Sequence, residues 1–339
     1  VAVAGWGAVM AGRKICGAGV GARGGTLAAM LARTEASLSV VARGATLQAL
    51  HENGLVLDDG QDRSICHPIA DTRAPDCHQD VILLAGKSHQ LPQLAETVRH
   101  AVGRQTLVIP VVNGLPWWMA TDPNGAFEAA APVLDPDGRL SDLFSRSCLV
   151  GAVAYAMTEQ TAPGVVSSAR APMLVLGMVD GMPDDRLSHV LHVLQQAGIT
   201  ARSSPQIRCD IWNKIAANLA TNPLSVVCEA SLSTLAGAVS TEAVIADILK
   251  ETLAVGTACG LFNLHDVDEI RDTIAKAGPH RTSMLQDYCA GCILELDAIG
   301  WTIAKIGQAH DVPMPVTSTV LELATFKAAQ RVQAQGIRS

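Results

Sequence analysis

The chain has 339 residues, of which 49% are hydrophobic and 17% charged, so it can bury the cores of two domains and is not broadly disordered. Its formal charge of −7, with no run of Lys or Arg to track phosphates, excludes the usual nucleic-acid binder.

Residues 1–12 are apolar and glycine-rich but lack the basic segment of a signal peptide. Their Gly5-Trp6-Gly7 cluster fails the dinucleotide pattern at Met10. Lys14-Ile15-Cys16-Gly17-Ala18 reads as a short buried strand, and residues 25–33 as an Ala/Leu-rich helix. Between them stands Gly19-Val20-Gly21-Ala22-Arg23-Gly24. Strand, G-x-G-x-x-G, helix is the arrangement that sets a pyrophosphate on a helix N-terminus. Gly17-Ala18-Gly19-Val20-Gly21-Ala22 offers a competing G-x-G-x-x-A frame. The later frame is preferred because it leaves a longer strand before the turn.

Residues 37–42 form the next strand, ending at Arg43-Gly44. An acid near this point takes a ribose 2′-hydroxyl, whereas an arginine suits a 2′-phosphate, so Arg43 argues for NADP. The alternative is an ordinary surface arginine. Residues 45–53 look helical, with Gly54 as a stop, and 55–68 offer short strands around Asp58-Asp59-Gly60. Residues 80–85 and 106–112 are continuous apolar runs, as in parallel strands buried on both faces. Each ends in polar residues, the first at Lys87 and the second at Asn113-Gly114. Ligands of open α/β sheets bind beyond such carboxyl ends.

Trp117-Trp118 wall a pocket or fill core; the sequence allows both. Asp135-Pro136-Asp137-Gly138 is a surface turn, and Pro163-Gly164 another, lying between strands at 150–156 and 173–177. Residues 184–198 form an amphipathic helix. Ser203-Ser204-Pro205 marks the expected domain boundary, which divides the chain into 1–204 and 205–339. Beyond it nearly everything reads as helix. Strands alternating with helices, then helices alone, predict an α/β Rossmann-type N-terminal domain followed by an all-α C-terminal domain.

In the helical half, Lys214, Asn218 and Asn222 recur every four residues within apolar neighbours, so a helix carries them as one polar stripe. A lysine and two amides suit a carbonyl and a carboxylate. Read alone, the stripe equally fits a solvated face, with Asn222 ending the helix before Pro223. Ser283 with Gln286 three residues on reads as a capping box. Glu295 stands between leucines, and on a half-buried helix such a carboxylate needs a partner. The nine cysteines have no paired spacing beyond Cys289-Ala-Gly-Cys292, which follows no strand. Reduced thiols in a cytoplasmic protein are expected. No metal site and no membrane span are expected.

These pieces, in this order, resemble the ketopantoate reductase family from about residue 13 to 315. The most specific matches are Trp212-x-Lys214-x-x-x-Asn218-x-x-x-Asn222-Pro223 and Ser283-Met284-Leu285-Gln286-Asp287 followed by Glu295-x-Asp297. The resemblance implies a C-terminal helical domain like that of 6-phosphogluconate dehydrogenase. It implies reduction of 2-dehydropantoate to pantoate by NADPH, with Lys214 as general acid and Glu295 orienting the substrate hydroxyl. Asn218, Asn222 and Ser283 would hold substrate, and Asn113 would lie near both substrate and nicotinamide. Gly19, Gly21, Ala22, Arg23, Gly24, Arg43 and Lys87 would serve the cofactor.

Four departures from the family pattern bear on that expectation: Arg23 inside the glycine loop, Cys292 where an arginine is common, the paired tryptophans, and residues 1–12, which the pattern does not account for. The competing readings are a reductase of another branched or bulky 2-keto acid, an oxidoreductase run in the opposite direction, and a non-catalytic NADP-binding sensor. A homodimer is expected from the general prevalence of two-fold assemblies.

Overall fold

The computed structural model describes residues 12–336. The Gly5-Trp6-Gly7 cluster and the reading of the N-terminal eleven residues lie outside the described residues. The chain begins with β1 (Lys14–Ala18), α1 (Ala22–Leu31), β2 (Ser37–Val41), α2 (Gly44–Asn53), β3 (Leu55–Asp58) and β4 (Arg63–Cys66). It continues with β5 (Ile69–Asp71), β6 (Gln79–Leu84), α3 (Leu91–Val98) and β7 (Val102–Pro110). Two short helices follow, α4 (Trp117–Ala120) and α5 (Ala131–Leu134), then α6 (Arg139–Leu143). Next come β8 (Val150–Tyr155), β9 (Thr158–Ala162), β10 (Val165–Ser168), β11 (Met173–Met178), α7 (Asp185–Gln196) and β12 (Thr200–Ser203). The remainder is helical: α8 (Ile207–Cys228), α9 (Leu232–Gly237), α10 (Val239–Ala258), α11 (Val267–Lys276), α12 (Ser283–Ala290), α13 (Thr302–Ala309) and α14 (Pro315–Gly336).

The first sheet is wholly parallel, in the order β5-β2-β1-β6-β7. Its inner strands are the apolar runs of the sequence, and Cys16, Ile82, Leu84, Val108 and Ile109 are fully buried. A mixed sheet of order β12-β11-β8 lies beyond β7, reached through a parallel bridge between Val108 and Leu149. A third sheet, β4-β3-β10-β9, contains the β9–β10 hairpin around Pro163-Gly164. Leu27 and Leu31 of α1 and Leu187, Val190 and Leu194 of α7 share one core with Val40, Leu83, Ile109 and Leu176 of the strands.

The chain divides into two compact units. The first, Val1–Val112 with Gly138–Ile207, carries the three sheets. The second, Asn113–Asp137 with Arg208–Ser339, is helical. The units therefore do not follow a single cut after Ser204: the segment 113–137 packs with the later helices. Contacts at Ala126 and Phe127 tie it there. The Phe127 ring lies 5.5 Å from that of Trp212, and the Ala126 carbonyl accepts from the thiol of Cys259 at 3.4 Å and faces His310 Nε2 at 2.7 Å.

Two further departures are local. α1 starts at Ala22, earlier than residue 25, because the glycine loop enters the helix directly. β9 and β12 have mostly exposed side chains, so they lack the apolar run that identifies a buried strand. Among the described residues no helix is long and apolar enough to cross a membrane.

Candidate active site

In the first unit the candidate cofactor residues lie at the carboxyl edge of neighbouring parallel strands. Gly19 follows β1 with φ of +93°, and a Cβ there would stand 2.2 Å from the Ala85 carbonyl oxygen. A Cβ on Gly24 would stand 2.0 Å from the Gly19 oxygen. Both positions therefore require glycine. Gly21 is the N-cap of α1, and the nearest atom to a Cβ there is 4.0 Å away, so the loop is open at this point. Gly17 would meet nothing closer than 3.6 Å. The requirement for glycine at Gly24, with none at Gly17, favours the later frame, Gly19-Val20-Gly21-Ala22-Arg23-Gly24.

Ala22 opens α1, and the Arg23 guanidinium turns toward the Val111 carbonyl beyond β7, at 3.4 Å. Arg43 is the exposed N-cap of α2, and its Nη1 donates to Gln93 Oε1 on α3 at 2.7 Å. Lys87 is half-buried three residues beyond β6, where its backbone N–H donates to Gln90 Oε1 at 3.1 Å. Since β1 lies between β2 and β6, the Gly19 loop, Arg43 and Lys87 follow three adjacent strands.

In the second unit α8 carries the polar stripe. Trp212 is fully buried and donates from Nε1 to the Thr252 carbonyl at 3.0 Å. Asn213 Oδ1 accepts from the His265 N–H at 3.0 Å. These two anchors fix the rotation of the helix. Between residues 211 and 226 only Lys214, Ala217 and Asn218 are half-exposed; the rest, Asn222 included, are buried.

The alternative reading, in which Asn222 ends the helix, fails: α8 continues through Pro223 to Cys228. Proline removes the N–H that would pair with the Leu219 carbonyl, so the ladder is weakened beside Asn222. Hydroxyls bond back on either side of it, Thr221 Oγ1 to the Ala217 carbonyl at 2.7 Å and Ser225 Oγ to the Asn222 carbonyl at 2.7 Å. The surrounding burial holds a helix that local sequence rules would stop.

Ser283 is not the cap of α12. It is the first helical residue and is exposed, while Thr282 Oγ1 accepts from the Leu285 N–H at 3.1 Å. Nor does Gln286 complete a capping box; its Nε2 donates to the Arg281 carbonyl. Burial lowers the pKa of the neighbouring His280. Glu295 is half-buried but lies in the irregular stretch before the π-helical turn Asp297–Trp301, not on a helix. Its backbone carbonyl accepts from the Ile299 N–H at 3.0 Å. Gly291, in the left-handed conformation, ends α12 too early for the leucines around Glu295 to continue it.

Asn113 is buried within the helical unit. Gly114, at φ +77°, would place a Cβ 2.6 Å from the Ala298 oxygen, so the Asn113-Gly114 turn seats on the π turn that follows Glu295. Trp117 and Trp118 are core residues, each 1% exposed. Cys289 and Cys292 flank the helix end, where the Cys292 N–H bonds the Asp287 carbonyl at 2.8 Å. Sequence reasoning missed Ser225 and Thr282. Their hydroxyls meet at 2.6 Å, a link between α8 and α12 that no local pattern announces.

Comparison with known proteins places the chain. The family pattern described as Ketopantoate reductase PanE/ApbA matches residues 15–181, and its companion, Ketopantoate reductase PanE/ApbA C terminal, matches 206–328. The chain belongs to the ketopantoate reductase family. Members are oxidoreductases acting on a CH–OH group. A 2-dehydropantoate 2-reductase of Mesorhizobium japonicum is 32% identical, over 94% of this chain and 98% of its own length. The structure of 2-dehydropantoate 2-reductase from Geobacter metallireducens has a TM-score of 0.80 at 22% identity, covering 92% of this chain and 99% of that one. D-mandelate dehydrogenase, solved with NADH and anilino(oxo)acetate, has the same fold at 19% identity, with a TM-score of 0.82 and coverage of 94% and 99%. The Rossmann-type N-terminal part and helical C-terminal part are thus those of ketopantoate reductases.

Proposed function

We propose that this ketopantoate reductase family member reduces 2-dehydropantoate to pantoate with NADPH. One observation carries the reading: on a helix buried on its other faces, Lys214 and Asn218 remain accessible. Its support is the identity with the Mesorhizobium japonicum 2-dehydropantoate 2-reductase over nearly the whole of both chains.

The glycine loop fits a dinucleotide. Gly19 and Gly24 let strand, loop and helix close up, and Gly21 leaves room for a pyrophosphate at the first N–H groups of α1. Ala22 and Arg23 belong to that first turn, and in this reading Arg43 takes a 2′-phosphate and Lys87 makes a second phosphate contact. When bound, the nicotinamide supplies a hydride to the keto carbon. The Lys214 ammonium stabilises the charge gathering on the ketone oxygen and gives that oxygen a proton, completing the alcohol. Asn218, Asn222 and Ser283 offer neutral donors to the substrate carboxylate. Glu295 accepts from the substrate hydroxyl, and Asn113 orients the keto acid beside the nicotinamide.

The test is loss of NADPH absorbance with 2-dehydropantoate, run beside NADH and a panel of other small 2-keto acids. Turnover with 2-dehydropantoate and a preference for NADPH are expected. NADPH binding with turnover of a different keto acid alone would overturn the substrate. Equal use of NADH would remove the role given to Arg43.

A further inference from the structure

Two buried hydroxyls join the helix that carries the stripe to the helix that begins with Ser283. Ser225 is fully buried and Thr282 is 4% exposed. Their oxygens are 2.6 Å apart across 57 residues of sequence. The proton directions follow from the other bonds. Ser225 has one hydroxyl proton, which goes to the Asn222 carbonyl at 2.7 Å. Thr282 Oγ1 already accepts from the Leu285 N–H. The short contact is therefore made by the Thr282 proton, donated to Ser225 Oγ. The chain reads Leu285 N–H to Thr282, Thr282 O–H to Ser225, Ser225 O–H to the backbone of Asn222.

We propose that Thr282 and Ser225 are positioning residues, holding Asn222 on α8 in register with Ser283 on α12 so that both reach one substrate. The need for such a tie arises at Pro223. The proline removes a backbone bond directly after Asn222, so the helix alone does not fix this part of the stripe. The Ser225 hydroxyl adds a bond on the Asn222 carbonyl, and the Thr282 hydroxyl ties that bond to the residue before Ser283. Burial of both groups makes the register specific, because a slip would strand a hydroxyl away from water. The proposal rests on the reading that Asn222 and Ser283 hold substrate.

The experiment measures steady-state kinetics of Thr282→Val, Ser225→Ala and Thr282→Ser, with Asn222→Ala alongside. Misplacement of binding groups by a fraction of an ångström is expected to raise KM for 2-dehydropantoate about tenfold in Thr282→Val and Ser225→Ala. KM for NADPH should stay at the wild-type value, and Thr282→Ser, which keeps the hydroxyl, should restore the substrate KM. A lowered melting temperature with unchanged substrate KM would reduce the pair to a structural bond and overturn the proposal. If Thr282→Val does not fold, Ser225→Ala, which removes a single oxygen, carries the same test. Asn222→Ala separates the two levels: an unchanged KM there refutes the substrate-binding reading itself. A raised KM there with normal Thr282→Val and Ser225→Ala refutes only the positioning role.

Discussion

Trp212 Nε1 donates to the Thr252 carbonyl at 3.0 Å, and this bond sets the direction in which α8 presents Lys214. Two residues along an α-helix is a rotation of about 200°, so the lysine faces away from the helix that holds the indole. Gly256 makes the approach feasible, since a Cβ there would stand 2.3 Å from Trp212 Nε1. Gly256→Ala should therefore cost about 1–3 kcal/mol by overpacking, and Trp212→Ala about 3–5 kcal/mol by loss of a large buried side chain. Urea unfolding measures both. A loss under about 0.5 kcal/mol for either would mean that α8 is held by other contacts.

Lys214→Ala should lower kcat by about 10²–10⁴-fold, the usual effect of deleting a proton donor. NADPH binding, followed by fluorescence titration, should be unchanged. Near-wild-type turnover would remove Lys214 from the chemistry.

The nucleotide loop can be tested through its glycines. Gly24→Ala drives a methyl to 2.0 Å from the Gly19 oxygen and should abolish tight NADPH binding. Gly237→Ala, where a Cβ meets nothing within 4 Å, should bind normally and change stability by no more than about 1 kcal/mol. Similar NADPH affinities for the two variants would contradict the close packing at Gly24.

Acid sensitivity should include the start of α7. Asp184 caps this helix, accepting from the Arg186 N–H at 2.8 Å and from the Arg186 guanidinium, and that guanidinium holds the carboxyl below its ordinary pKa. A depressed carboxylate stabilises the fold fully above its unfolded pKa, near ~3.9, and the effect disappears as the pH falls through the lower folded value. Asp184→Ala should cost about 1 kcal/mol at pH 7. The gap between variant and wild type should narrow below about pH 4. A gap that persists unchanged at pH 2 would show that charge plays no part in the cap.

Thiol reactivity should sort by depth. Cys77, Cys228, Cys289 and Cys292 are exposed and should react quickly with an aromatic disulfide reagent in the native state. Burial pushes the Cys16 thiol up to about 11 and that of Cys259 to about 12, so both should stay protonated and protected until unfolding. Native labelling of Cys16 at the rate of Cys77 would argue that β1 opens readily.

Much of the fold was legible because its signals are local. The apolar runs at 80–85 and 106–112 became β6 and β7, and Gly54 stopped α2 with φ of +74° and its N–H on the Leu50 carbonyl. The 214-218-222 spacing became one face of α8. Misreadings arose where a local rule met a tertiary contact. Pro223 allowed a helix end as one of two readings, but the packed unit holds α8 together around it. Ser283 and Gln286 had the spacing of a capping box, but the neighbouring Thr282 hydroxyl took the cap.

The sequence by itself determined the order of the apolar strands and main helices, the presence of a glycine turn between a strand and a helix, and the spacing of the polar stripe. Each depends on residue type and short spacing, which act through backbone dihedrals and helical or strand periodicity. Only the tertiary structure showed how closely Gly24 of the later glycine frame packs on the Gly19 carbonyl. It alone assigned residues 113–137 to the helical unit and joined Ser225 to Thr282. Those outcomes depend on contacts between residues far apart in the chain, and such contacts leave no period in the sequence from which to read them.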